Sequence, residues 1–229
     1  MSTKPTATTE GKDIDLGQVY TRTELFLEHN KKALTYGAIG LLAVVGAILG
    51  YKKLYLEPRA NEAAELIWKA QYYFEIDSMN LALEGDSIYP GFVGIAEDYS
   101  GTPSAELAHY YMGAIHMQKG EYDLALEQYK EADLDDDVLR VMAVGNQGDA
   151  LVELDQPEEA VKLFEKAAGM TKSEFTTPMY LMKAGILHQQ AGAWKDARKA
   201  FERIVTEFPN SPETMQARKY AGHAEAMGG

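Results

Sequence analysis

The sequence contains no cysteine. Disulfides, thiolate nucleophiles, thiolate metal sites and a lipid anchor on an N-terminal Cys are therefore excluded. Compartment is not, because a Cys-free chain suits oxidising and reducing spaces alike. Positive charge is scarce over most of the length: residues 59–229 hold 15 Lys/Arg against 29 Asp/Glu, a balance of about −14. Such a segment repels nucleic acid, whose condensed counterions must be replaced by clustered Lys and Arg, so nucleic acid is excluded as a partner. There is also no Gly-rich phosphate loop, no Gly-x-Ser-x-Gly and no pair of carboxylates placed for acid–base work. We read the chain as a non-enzyme without cofactor.

One long uncharged run is present. Residues 33–51 are uninterrupted by charge, with Lys31 and Lys32 before them and Lys52 and Lys53 after them. A hydrocarbon core about 30 Å thick needs about 20 helical residues, and this stretch supplies 19 before its lysines snorkel. A cleavable signal peptide fits less well, because 32 residues precede the run and no small-x-small site follows it. The expectation is one transmembrane helix over 33–56, in contact with membrane lipid. At about 100° per residue, Ala33, Gly37, Gly40, Ala43, Ala47 and Gly50 fall on one side. Small side chains let another helix approach closely, and Gly46 with Gly50 makes a GxxxG. The stripe reads as a seam for a partner helix, with a plain anchor as the alternative. Arg22, Lys31 and Lys32 on one side balance Lys52, Lys53 and Arg59 on the other, so the positive-inside rule ties.

Residues 1–20 are small, polar and expected to be disordered. Thr21-Arg-Thr-Glu24 has the capping-box spacing and predicts a juxtamembrane helix over 21–32.

Beyond the span, fixed-period self-similarity sets the fold. Gly113, Ala125 and Tyr129 are matched by Gly148, Ala160 and Phe164, and again by Gly185, Ala197 and Phe201. The glycines are 35 and 37 residues apart. This pattern resembles the tetratricopeptide repeat, a helix-turn-helix unit of about 34 residues. The glycines and alanines lie where two helices of a pair meet; the aromatics are expected to fill the gap to the next repeat. Thr102-Pro103, Gln156-Pro157, Thr177-Pro178 and Ser211-Pro212 each predict a helix start. The fold class is all-α: a transmembrane helix, an irregular helical pair over 57–101, and an α-solenoid of three repeats over 102–229 closed by a capping helix from Ser211 to Met227.

Two metal candidates fail. His109, His116 and His188 occupy packing positions with no carboxylates at ligand spacing. Asp133, Asp135, Asp136 and Asp137 lack the Gly and terminal Glu of an EF-hand, and Asp137 reads as a helix cap. The remaining candidate is the face made by the first helix of each pair. By register it presents Leu107, Tyr110, Ala114 and Met117, then Met142, Asn146, Asp149 and Val152, then Met179, Met182, Lys183 and Ile186. Methionine adapts to apolar partners of different shape, which suits a protein-binding groove, although gap-filling would also use it. Of a Lys/Asn/Arg clamp for a peptide carboxylate only Asn146 and Lys183 have counterparts, so clamp function is not expected.

A short leader, one Lys-flanked span, an irregular pair and an acidic repeat domain together resemble the YfgM-type family of bacterial single-span repeat proteins. Residues 70–78, 83–86, 91–99 and 108–113 look like the version found in Bacteroidota. That resemblance implies an inner-membrane protein with a cytoplasmic N-terminus and periplasmic repeats. It also implies an ancillary role at the SecYEG-type translocon, beside a PpiD-type prolyl isomerase, assisting secretory or envelope client proteins. A scaffold in another envelope assembly, holding folded partners, is the alternative.

Overall fold

The computed structural model describes residue 27 and residues 29–228. The disordered leader and the Thr21–Glu24 capping box expected above lie outside these residues. The described chain divides into two compact units, the first ending at Tyr55 and the second beginning at Leu56.

In the first unit, α1 (Lys31–Tyr51) coincides with the apolar run. It is long and apolar enough to cross a membrane, and none of its residues is buried. The Thr35 hydroxyl donates to the Lys31 carbonyl at 2.8 Å, satisfying inside the helix a group that lipid would leave unpaired. A π-helical turn, Lys52–Leu56, follows in the chain.

The second unit begins with α2 (Glu57–Glu75), then α3 (Met79–Glu84) and α4 (Phe92–Asp98). Ala63, Ile67 and Ala70 recur at helical spacing and form the buried stripe of α2. A loop closed by an antiparallel bridge between Gly85 and Pro90 separates α3 from α4. Gly85, at φ 84°, allows the reversal, and a Cβ there would overlap the Tyr89 carbonyl. Asp86 fixes the loop: one carboxylate oxygen accepts the Ile88 and Tyr89 N–H groups, each at 2.7 Å, and the other accepts the Tyr73 hydroxyl at 2.6 Å. Those hydrogen bonds, Tyr73 first, hold the Asp86 carboxyl below the usual carboxylate range.

Three antiparallel pairs follow: α5 (Pro103–Lys119) with α6 (Tyr122–Glu131), α7 (Asp137–Glu153) with α8 (Pro157–Met170), and α9 (Thr176–Gln190) with α10 (Trp194–Glu207). Each pair closes on the same contact. A Cβ on Gly113 would lie 2.7 Å from the Tyr129 ring, and one on Gly148 would lie 2.7 Å from the Phe164 ring; one on Gly185 would overlap Phe201. The aromatics therefore seat first on the glycine of their own pair, and Phe164 then also stacks on Tyr180 of the next pair at 6.1 Å. Ala125, Ala160 and Ala197 are fully buried beside them. A further glycine, Gly145, brings α7 against α9, because any Cβ there would overlap the Tyr180 ring.

The helix starts differ from expectation in three places. Thr102 caps α5 as predicted, accepting from the Ala105 N–H at 3.3 Å. Asp136, not Asp137, caps α7, accepting from Val138 and Leu139. Ser173, not Thr177, takes the first free N–H groups before α9, those of Phe175 and Thr176. The last helix, α11 (Thr214–Gly228), starts three residues after Ser211, because the Thr214 hydroxyl donates back to the Phe208 carbonyl at 2.6 Å and holds the intervening residues in a turn. α11 covers the third pair with buried Ala217 and Ala224 and with Tyr220 against Phe201 at 5.3 Å.

Tyr180 is 1% exposed and has no room to retreat. Gly145→Ala should therefore destabilise by about 1–3 kcal/mol through overpacking. Gly222→Ala adds a methyl that meets nothing within 4 Å and should stabilise by about 0.5–1 kcal/mol through helix propensity. Thermal unfolding of both variants, followed by circular dichroism at 222 nm, checks the pair.

Candidate protein-binding groove

The register that seats each glycine under its aromatic leaves a second row of each first helix without cover. Leu107, Tyr110, Ala114 and Met117 on α5 are half-buried, as are Met142, Asn146 and Asp149 on α7 and Met179, Met182, Lys183 and Ile186 on α9. Val152 is exposed. The structure links the central members of this row directly. The Asn146 side chain lies beside the Tyr110 and Tyr129 hydroxyls. Lys183 Nζ donates to both Asp149 oxygens, at 2.6 and 2.7 Å, bridging α9 to α7.

Beneath this polar pair lies an aromatic layer. Tyr110 meets Tyr129 edge-on at 5.8 Å, and the Lys183 ammonium stands 5.4 Å from the Phe164 ring centre and 5.7 Å from that of Tyr180. Burial pushes the hydroxyls of Tyr110, Tyr129 and Tyr180 upward, so they stay protonated donors at any physiological pH. Tyr180 and Gly145 belong to this layer and are absent from the sequence-based reading. The signal available was Gly145 three residues before Gly148, one glycine more than a single helix contact requires.

Two of the row's methionines fill gaps between helices. Met179, Met182 and Ile186 pack against the main core cluster on one side and stay half-open on the other. Leu107 and Tyr110 instead join Leu139 around buried Ala132, Leu134 and Ala143. Lys183 is occupied by Asp149 and two rings, so it is not a free cation for a peptide carboxylate. The three repeat histidines fasten helices together: His109 to Gln128 at 2.8 Å, His116 to Glu121 at 2.6 Å and His188 to Glu165 at 2.9 Å. A separate hollow of about 390 Å³, lined by Pro157, Val161, Leu187 and His188 among others, shares no lining residue with the row.

On α1 the seam residues Ala33, Gly37, Gly40, Ala43 and Ala47 are exposed and Gly50 half-exposed. A Cβ at Gly37, Gly40, Gly46 or Gly50 would meet nothing within 4 Å.

Comparison with known proteins agrees with this geometry. The tetratricopeptide repeat family profile matches residues 146–212, from the middle of α7 to the turn before α11. Among solved structures, the crystal structure of MamA protein is similar in fold, with a TM-score of 0.55 at 15% sequence identity, covering 76% of this chain and 84% of that one. No curated protein matches the chain by sequence. The first pair, α5 with α6, lies outside the matched residues, yet it repeats the same contact of glycine under aromatic. The chain therefore carries tetratricopeptide-like helical repeats, an architecture that presents surfaces to other proteins.

The two side chains of the Lys183–Asp149 pair are 36% and 31% exposed. A double-mutant cycle of Lys183→Met and Asp149→Asn should therefore return a coupling of only about 1 kcal/mol, the size of a solvent-screened pair. Urea unfolding at low and at high NaCl checks this, with the coupling expected to shrink as salt rises.

Proposed function

We propose that this chain is a non-enzymatic, membrane-anchored repeat adaptor whose first-helix face binds other proteins. The observation that carries the reading is the continuous row from Tyr110 through Met142, Asn146 and Asp149 to Met182 and Lys183, half-open on three neighbouring helices and backed by a fixed aromatic layer. The row offers flexible thioethers and apolar edges with a neutralised ion pair at its centre, chemistry suited to apolar protein segments. With the YfgM-type resemblance, the reading becomes an ancillary subunit of a SecYEG-type translocon, working beside a PpiD-type prolyl isomerase. The repeats would face the periplasm and assist secretory or envelope proteins, and the N-terminus would face the cytoplasm. The uncovered small-residue side of α1 would dock a partner helix.

A second reading, a scaffold for one folded envelope partner, is favoured by the rigidity at the centre of the row. There the Lys183–Asp149 pair and the rings of Phe164 and Tyr180 hold one geometry. Photo-crosslinkers at Met142 and Met182 separate the two: many unfolded secretory chains are expected for the adaptor, one discrete folded protein for the scaffold. Protease added to spheroplasts should digest the repeats; protection would place them in the cytoplasm and overturn the proposed orientation. Replacing Gly40, Ala43 and Ala47 together by Leu should preserve insertion and release the co-purifying membrane protein. Unchanged recovery of that protein would reduce α1 to a plain anchor.

A further inference from the structure

Resting on the reading of the first-helix row as a protein-binding groove, we infer that its occupant is an apolar segment carrying lysine or arginine, held by the acidic loop between α6 and α7. The loop runs Glu131-Ala-Asp-Leu-Asp-Asp-Asp137. Its two apolar residues, Ala132 and Leu134, are buried against Leu107, Tyr110 and Ala143, which fastens the loop to the end of the row. The Asp133 N–H donates to Glu106 on α5 at 2.9 Å and ties it a second time. With alternate residues drawn inward, Asp133 and Asp135 are turned outward and exposed.

Most of this charge is not neutralised internally. Asp136 spends one oxygen on the cap of α7, and Asp137 pairs with Arg140. Among the described residues no ion pair reaches Glu131, Asp133 or Asp135. Within the row itself, Lys183 and Asp149 cancel each other. A bound segment thus meets an apolar, Met-containing floor and, at the Tyr110 end, a fixed row of unpaired carboxylates. Charge complementarity selects a cationic apolar peptide over a neutral or acidic one.

The test uses the full chain in phosphatidylcholine nanodiscs, with empty nanodiscs as reference. The probes are two labelled 16-residue peptides of Leu and Ala, one carrying four Lys and the other four Glu, and binding is read by anisotropy. The Lys peptide should bind at least tenfold more tightly than the Glu peptide, and more weakly as NaCl rises. The triple change Glu131→Gln, Asp133→Asn and Asp135→Asn touches no cap and no ion pair, and should weaken the Lys peptide about tenfold with an unchanged circular dichroism spectrum. An equal charge change elsewhere, Asp123→Asn with Glu158→Gln and Glu159→Gln, should alter affinity less than twofold. Equal weakening by both triples would overturn the inference in favour of the net field of the domain. Equal binding to empty nanodiscs would overturn it in favour of lipid. Equal affinity for both peptides, with crosslinks at Met142 and Met182 retained, would overturn the charge inference and leave the groove reading standing. Absence of both peptide binding and crosslinks would remove both.

Discussion

Everything in the repeat unit depends on a close approach that only glycine permits. At Gly113, Gly148 and Gly185 the missing side chain is replaced by the ring of Tyr129, Phe164 or Phe201 from the partner helix. The rings are 2%, 2% and 0% exposed, so this single contact buries one aromatic ring of each second helix and sets the separation of the pair. Repeated three times, it fixes the rotation of each first helix about its own axis. The opposite consequence follows from the same rotation: a second row of side chains on α5, α7 and α9 is packed on one side and left half-open on the other. The candidate groove is what remains after the glycine rows have been used.

That row is neither a bare apolar patch nor a charged clamp. An isolated lysine in such a setting would attract carboxylates, but both Asp149 oxygens and two aromatic faces already hold Lys183. Gly145 makes the arrangement compact, since it lets Tyr180 slide under α7 and bring α9 close enough for Lys183 to reach Asp149. The charge that stays available lies at the edge, on a loop fastened by Leu134. Apolar row and acidic loop are thus distinct parts of the surface.

The sequence made the repeat contacts legible because glycine, alanine and an aromatic recur together at a period near that of a helix-turn-helix repeat. It made α1 legible by length and composition alone. What it left obscure involves contacts between repeats. Tyr180 looks like an ordinary aromatic in the first turn of α9, and its role appears only when Gly145 is known to face it. The caps at Asp136 and Ser173 were assigned one or more residues away, because runs such as Asp135-Asp136-Asp137 offer several chemically equal candidates and geometry picks one. Register alone points Tyr129, Phe164 and Phe201 at the gap to the next repeat, whereas each first fills the hollow of its own pair. The partial solvent access of the first-helix row follows from register, but register carries no information on which members bond to each other.

Hydrogen exchange of the full chain, alone and with the protein it carries, tests the use of the first-helix face most directly. Slower exchange in peptides from α5, α7 and α9, with α6, α8 and α10 unchanged, is the predicted result. Protection confined to the second helices, or to α11, would contradict it.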